Sequence, residues 1–360
     1  MANIRVLTWN IQIYGPLKYG TTPNNVGIAQ LVARVIVDSG ADIAVIQEVR
    51  SSVALGVAFS LAQAVDNYSP GGQTWSYFTT NARPTGDAES YVFIFRTDAG
   101  ANFAEVAGAE GIAANNFPNN FSVTHGRRAA FKVFQTTDTN NYFAVTNYHA
   151  PPNNQAVIGV ESCALMTEIY SVNPGGGGAQ AIDDRLLCGD WNLDAFDDAD
   201  YFDPLTDPVP ANPPPVLANG EGAGTTEALN GNALNESTHV MTIGDAINNW
   251  GQFPGNWPAG AQQYRQIDMA IDNIFYKSNG LNARGVRDVI SSIKNSSDGG
   301  HVRAIANTFS LGYPNGSPAF PNAQYFQSAI NIALSTTAWA FLFYRYSISD
   351  HLPVYVDVTI

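Results

Sequence analysis

At 360 residues, 45% of them hydrophobic, the chain is long enough to bury a substantial core, and this composition excludes a disordered protein. A formal net charge of -14, from 17 Lys and Arg against 31 Asp and Glu, excludes a protein that holds nucleic acid on a broad basic face, because neutralising phosphates takes clustered cations. An acidic enzyme that engages a phosphate substrate briefly, through a cation and a few local arginines, stays open.

Ile4 to Trp9 is a mostly apolar strand that ends in Thr8-Trp9-Asn10. From Ile28 onward, Leu31, Val32, Val35 and Ile36 recur at helical spacing and present one face, and Gly40 stops that helix. Ile43 to Ile46 is a short apolar run of the kind buried on both faces, and it delivers Gln47-Glu48. Further strands are predicted at Tyr91 to Phe95, Ala129 to Phe134, Tyr142 to Asn147, Arg185 to Cys188, Ile271 to Tyr276 and Val354 to Val358. One helix separates two of these strands: Ile158, Ser162, Leu165, Met166 and Ile169 share a face, with Cys163 beside it. The two cysteines, Cys163 and Cys188, lie in apolar runs and read as buried free thiols, too few for a thiolate zinc site.

Two stretches break the pattern. Asp203 to Gly224 is rich in Pro, Gly and Asn and reads as a long surface loop; Gly299 to Pro321 is similar and feeds a helix predicted from Asn322. No run approaches the ~20 apolar residues of a membrane span, and Ile330 to Phe343 is interrupted by Asn331, Ser335, Thr336 and Thr337. Met1-Ala2 leads straight into the first strand without a signal peptide, as expected of a cytoplasmic protein or a mature domain, whereas sequons at Asn67, Asn120, Asn235, Asn295 and Asn315 lean towards an extracellular, secreted protein. Many strands with few helices point to an α/β protein built as a two-sheet β-sandwich flanked by helices, not to the regular alternation of a TIM barrel.

Four strand ends carry polar pairs: Asn10, Glu48, the turn Gly189-Asp190-Trp191-Asn192, and Asp350-His351 before the last strand. Asn, Glu, Asp and His gathered at strand ends suit metal-assisted phosphodiester hydrolysis, which needs a cation at the non-bridging oxygens, a base for water and an acid for the leaving oxygen. Glu48 beside Asn10 suits a hard cation such as Mg²⁺, with Mn²⁺ or Ca²⁺ as alternatives, and His149 and His351 are the candidate acid/base pair. Each has a plainer reading when taken singly. Gly-Asp-x-Asn is an ordinary turn, Glu48 is a possible cap, Arg127 and Arg128 are possible solvated charges, and His149 is a possible core histidine. His125, His239 and His301 carry no such context and read as structural or surface residues.

Taken in order, Leu7-Thr8-Trp9-Asn10-Ile11, Ile46-Gln47-Glu48-Val49-Arg50, Asn147-Tyr148-His149-Ala150-Pro151, Gly189-Asp190-Trp191-Asn192, Ile271-Asp272-Asn273-Ile274-Phe275 and Ser349-Asp350-His351 resemble the motifs of the endonuclease/exonuclease/phosphatase superfamily. Within it, Gln47-Glu48-Val49-Arg50 and the run Glu89 to Arg96 are most similar to deoxyribonuclease I, with the nuclease subunit of cytolethal distending toxins a near second. The resemblance spans most of residues 4–196, 265–278 and 346–360, and implies one deoxyribonuclease I-like domain over 1–360 with loop insertions at about 200–260 and 290–345.

The resemblance also implies roles. Glu89 would orient His149 and Asp272 would orient His351; Asp190 and Asn192 would hold the phosphate and the attacking water; Asp350 would assist at the metal or at water. The metal set would be Glu48, Asn10 and Asp350, and Asn10, Arg50 and Arg127 would contact substrate, Arg127 as the phosphate-binding arginine of Gly126-Arg127-Arg128-Ala129. Two departures bear on substrate. Asp87 stands where deoxyribonuclease I has a tyrosine used in the minor groove, and no cysteine follows the Gly-Asp-x-Asn turn near Asp194, so that enzyme's calcium-site and loop stability do not carry over.

The expected activity is therefore a Mg²⁺-dependent, non-specific endodeoxyribonuclease with DNA as substrate, without a stable nucleic-acid complex. Phosphatase or phospholipase activity on inositol phosphates or sphingomyelin is the enzymatic alternative, weakened because Ile271-Asp272-Asn273-Ile274 replaces the Trp-Cys-Asp-Arg of inositol phosphatases. A non-catalytic binding protein on the same fold is the alternative of another class.

Overall fold

The computed structural model describes residues 1–16, 18–21, 23–82, 89–113, 127–152, 155–164, 166–195, 197–207, 224–229, 236–240, 269–295, 300–306, 308, 340–341 and 343–360. Asp87, Leu165, His125, the sequons at Asn120, Asn235 and Asn315, and the helix expected from Asn322 lie outside the described residues.

Two six-stranded sheets pack face to face. The first runs β13 (Gly280–Val286), β14 (Val354–Thr359), β1 (Asn3–Tyr14), β2 (Ile43–Val49), β4 (Ser90–Arg96), β3 (Trp75–Asn81). The second runs β11 (Thr226–Glu227), β12 (Asp272–Lys277), β10 (Asp184–Asp190), β7 (Tyr142–His149), β6 (Ala130–Thr136), β5 (Phe103–Ile112). A small ribbon pairs β8 (Ser171–Val172) with β9 (Gln180–Ala181). Each large sheet holds one parallel pair at its centre, β1 with β2 and β7 with β10, and its other pairs are antiparallel.

Period-2 alternation decides what lies between the sheets. Ile4 and Val6 of β1, Ile43 and Val45 of β2, Phe93 and Phe95 of β4, and Val354, Val356 and Val358 of β14 meet Phe134, Phe143, Val145, Leu186, Cys188 and Ile274 of the second sheet in one buried cluster. The opposite face of the first sheet, with Leu7, Trp9, Ala44 and Ile46, packs under helices α1 (Pro23–Asp38) and α2 (Ala54–Tyr68). The opposite face of the second, with Ala144, Leu187 and Phe275, packs under α3 (Gln155–Ala164). The expected sandwich with helices outside is the architecture the chain adopts. Cys163 and Cys188 are buried and unbridged, as their apolar surroundings predict.

The elements depart from expectation in particular places. The helix predicted through Ile169 ends at Ala164: Met166 is extended and its N–H bonds the Cys163 carbonyl, tightening the last turn, while Thr167–Ile169 forms a separate 3-10 turn that still buries Ile169. Within the stretch read as loop from Asp203, Asp203–Thr206 is a helical turn, α4; beyond β13, Val289–Asn295 and His301–Ala306 form α5 and α6. Among the described residues, no helix is long and apolar enough to cross a membrane.

Candidate active site

The same alternation that builds the core brings the candidate residues together. Extending the inner-face positions by one step beyond the apolar ones gives Asn10 after Val6 and Thr8, Gln47 after Val45, His149 after Val145 and Asn147, and Asp190 after Leu186 and Cys188. In the antiparallel neighbours the order reverses. Glu89 precedes Tyr91 and Phe93, and Asp272 precedes Ile274, so all but the buried Gln47 emerge at one edge of the sandwich, between the sheets. Behind them lies a buried polar tie: Gln47 Nε2 donates to Thr8 Oγ1 (2.9 Å) and Asn147 Oδ1 (2.6 Å), and Asn147 Nδ2 reaches across to the carbonyls of Ile46 (3.1 Å) and Val92 (3.2 Å).

Two histidine–carboxylate pairs face each other there. His149 Nδ1 is 2.8 Å from Glu89 Oε1, and His351 Nδ1 is 2.8 Å from Asp272 Oδ2. Their Nε2 atoms point at one carboxylate oxygen, Asp190 Oδ2, at 3.6 Å and 3.8 Å. That oxygen also accepts from Asn10 Nδ2 (2.8 Å), whose other hydrogen bond goes to Glu48 Oε1 (3.1 Å). Arg127 flanks the first pair, with Nε 3.2 Å from Glu89 Oε2 and a guanidinium N–H donated to the Ala150 carbonyl. Asn192 donates to the same Ala150 carbonyl (2.7 Å), and its backbone N–H is held by Asp190 Oδ1. A cleft of about 210 Å³ opens beside the pairs, lined by Ile13, Glu48, Arg50, Glu89 and Arg127.

Burial alone would drive both imidazoles towards the neutral form, but the carboxylates outweigh it. The His149 pKa is raised by the charge and hydrogen bond of Glu89 and by Asp190, and that of His351 is raised well above its ordinary value by Asp272, Asp350 and Asp190. Glu89, which burial would push up, is held below the usual range by His149, Arg127 and the Glu48 N–H. A raised histidine pKa means that the folded chain binds more protons than the unfolded one. The His351 contribution to stability is thus fully present below the unfolded value of about 6.5 and is lost as pH rises through the folded pKa. Asp272→Asn removes the main cause, so in metal-free protein the fall in the urea midpoint between about pH 6 and about pH 9 should be smaller than in wild type. An unchanged fall would show that the pair is not its source.

Glu48 reaches the centre by breaking the strand rule. Its φ of 58° and the interrupted β1–β2 and β2–β4 registers mark a bulge at the C-terminal end of β2. The distortion is held by side chains: the Glu48 N–H donates to Glu89 Oε1 (3.0 Å), and Glu48 Oε2 accepts from the Ile13 N–H (2.9 Å). Ile13 is itself left-handed, φ 53°, although β-branched and 43% exposed. Because asparagine tolerates that conformation and the bond from the Ile13 N–H does not depend on the side chain, Ile13→Asn should raise the unfolding free energy by about 1 kcal/mol in urea melts. A lower value would mean that the Ile13 side chain stabilises more than its backbone strain costs.

Asp350, at the opposite side, has Oδ2 bonded by Gln12 Nε2 (2.9 Å) and paired with Arg345 (3.2 Å); its Oδ1 and the Oδ1 of Asn10 are buried without a hydrogen-bond partner. Burial pushes the Asp350 pKa up, but His351, Arg345 and His239 hold it below the usual range. Lys18 is buried nearby; its ammonium donates to the Gln12 and Ile348 carbonyls, and burial lowers its pKa to about 8 against the opposing pull of Asp350 and Glu48. Clusters of donor atoms within 4.8 Å of one another form around Glu48, His149 and Asp190, around Asp190, Asp272 and His351, and around His239, Asp350 and His351. Glu48 and Asp350, grouped as metal ligands from sequence, thus fall in different clusters.

His239, read from the sequence as a structural or surface residue, lies against this centre. It forms an isolated antiparallel bridge with His351, and the two rings meet edge to face at 5.3 Å. No apolar run or flanking motif marks the segment Ser237–Val240, so only the tertiary pairing reveals it. His301, by contrast, is a surface residue, beside Asp38 and Arg34.

No family model matches the sequence, and no curated protein matches it. Solved structures do. An endonuclease/exonuclease/phosphatase from Bacteroides vulgatus superposes over 100% of both chains with a TM-score of 0.52 at 14% identity. D. rerio TDP2, complexed with single strand DNA product, covers 100% of both chains at a TM-score of 0.49 and 11% identity. A mannosyl-6-phosphatase of Bacteroides thetaiotaomicron covers 99% of this chain and 100% of its own at 0.46 and 15%. The chain thus has the fold expected from its motifs, that of the endonuclease/exonuclease/phosphatase proteins.

Proposed function

We propose that the chain is a member of the endonuclease/exonuclease/phosphatase superfamily and hydrolyses phosphodiesters with a divalent cation, acting as a non-specific endodeoxyribonuclease. The observation that carries this reading is the facing pair of histidines, each fixed at Nδ1 by a buried carboxylate and each presenting Nε2 to Asp190 Oδ2. One proton acceptor and one proton donor that face each other across a phosphate are what in-line attack of water and departure of an alkoxide require.

The donor set fits a hard cation. Glu48 supplies a carboxylate, Asn10 a buried carbonyl oxygen without a partner, and Asp350 a buried unpartnered carboxylate oxygen, all oxygens of the type Mg²⁺ takes. Glu48 and Asn10 would hold the ion with Asp350 assisting, and when bound it supplies neutralising charge to the phosphate. The chain's own groups do the rest. His149 and His351 move protons at Nε2, Glu89 and Asp272 keep each ring in register, Asp190 orients the water through its remaining acceptor capacity, and Arg127, anchored on Glu89 and Ala150, meets the phosphate from the cleft.

DNA is favoured because Arg50 and Arg127 line one cleft beside the pairs, where they offset Glu48 and Glu89 and offer guanidinium groups to a phosphate on a chain of net charge -14. Binding should accordingly be weak and steeply dependent on salt. The test is to incubate the protein with supercoiled plasmid, RNA, phosphatidylinositol phosphates and sphingomyelin, each with Mg²⁺ or EDTA. Nicking of plasmid in Mg²⁺ alone supports the reading; turnover confined to a lipid or inositol phosphate replaces the substrate, and no turnover in any arm overturns the enzyme.

A further inference from the structure

We propose that His239, Asp350 and His351 form a binding site for one late first-row transition-metal ion, with Zn²⁺ as its probe, and that the bound ion withdraws His351 from proton transfer. The second half rests on the proposed acid/base role of His351; the first does not.

One nitrogen or carboxylate oxygen from each of the three lies within 4.8 Å of the other two. His351 Nε2 is 3.6 Å from Asp350 Oδ1, and His239 Nε2 is 3.9 Å from Asp350 Oδ2. Donors around a tetrahedral ion at ~2.0–2.2 Å stand roughly 3.4 Å apart, so side-chain shifts of up to about 1 Å draw the three donor atoms, now within 4.8 Å of one another, onto one ion. Backbone pairing holds the two histidines in register: the Val240 N–H bonds the Asp350 carbonyl and the Leu352 N–H bonds the Thr238 carbonyl, both at 2.8 Å.

Two further observations point to a ligand. Asp350 is 9% exposed, and its Oδ1 has no hydrogen-bond partner. His351 already has Nδ1 fixed by Asp272, the carboxylate–histidine arrangement that orients Nε2 towards a metal. Two imidazoles and one carboxylate favour zinc, copper or nickel over magnesium, and three protein ligands leave a fourth position for water. Arg345, 3.2 Å from Asp350 Oδ2, opposes the incoming charge and sets the affinity below that of a closed structural site.

The experiment titrates Zn²⁺ into Mg²⁺-loaded protein by calorimetry, for wild type and for His239→Ala, and follows plasmid nicking at the same Zn²⁺ concentrations. Wild type should bind one equivalent and lose activity as it does so, whereas His239→Ala should bind at least about tenfold more weakly and keep its Mg²⁺-dependent activity at Zn²⁺ concentrations that silence wild type. Equal Zn²⁺ affinity in the variant overturns the site, and inhibition of the variant at the wild-type concentration overturns the blocking role. Ring ¹⁵N spectra of the wild-type histidines make the test independent of the variant's folding and of any catalysis. Zn²⁺ must shift the His239 and His351 resonances while leaving His301 in place; unshifted His239 and His351 overturn the site even where no substrate is cleaved.

Discussion

His149→Ala and His351→Ala are each expected to lower kcat on plasmid DNA by about 10² to 10⁴, because each removes a group to which the proposed function gives a proton transfer. The double variant should be little worse than the poorer single one, since the two nitrogens face one oxygen of Asp190 and act on the same event. The structure adds an asymmetry in stability. Without His149, Glu89 keeps Arg127 and the Glu48 N–H; without His351, Asp272 has no other side-chain hydrogen bond among the described residues, and its Oδ1 is already unpartnered. His351→Ala should therefore also lower the urea midpoint more than His149→Ala. Losses in kcat that multiply independently in the double variant, or near-normal turnover in either single variant, would refute the pairing.

Glu48→Gln is expected to raise the Mg²⁺ concentration for half-maximal activity by at least about tenfold, and to lower kcat at saturating Mg²⁺. Two effects combine. The substitution removes the charge, and it also removes one acceptor, whereas Glu48 now accepts from Asn10 Nδ2 at Oε1 and from the Ile13 N–H at Oε2. A glutamine oxygen satisfies one of these donors and turns an N–H onto the other, so either Asn10 or the bulge at Ile13 loses its hold. A Mg²⁺ titration of plasmid nicking decides the matter: unchanged half-saturation places the cation elsewhere.

Much of this centre could be read from the chain alone because of where the polar residues sit in the alternation. A buried strand shows as an apolar run, and a polar residue at the next inner-face position must emerge where the sheets open; Asn10, His149, Asp190 and Asp272 all obey that rule. Glu48 could be found by its place after Ile46 but not by its conformation, since nothing in Gln47-Glu48-Val49 signals φ of 58°. The helix α2 was missed although Val57, Leu61 and Val65 form a stripe, because Ala54, Ala58 and Ala62 complete it and alanine gives a faint apolar signal. The strands β3, β5 and β13 escaped for another reason. All three are edge strands and partly exposed, β5 and β13 contain glycine, and such strands need no strong alternation. His239 was beyond reach, because its meeting with His351 exists only after residues more than a hundred positions apart have paired.

The pairing of β1 with β14, in the register Asn3↔Thr359 to Thr8↔Val354, has a consequence for synthesis. The first strand lies between β14 and β2, and His351 stands just ahead of β14, so a chain still on the ribosome carries Asn10, Glu48, His149 and Asp190 long before it can contain the second histidine. Until the segment that carries His351 and β14 has emerged, one flank of β1 has no partner and the histidine pair is half built. An activity that needs both histidines would in this way stay silent, without an inhibitor, until β14 closes against β1.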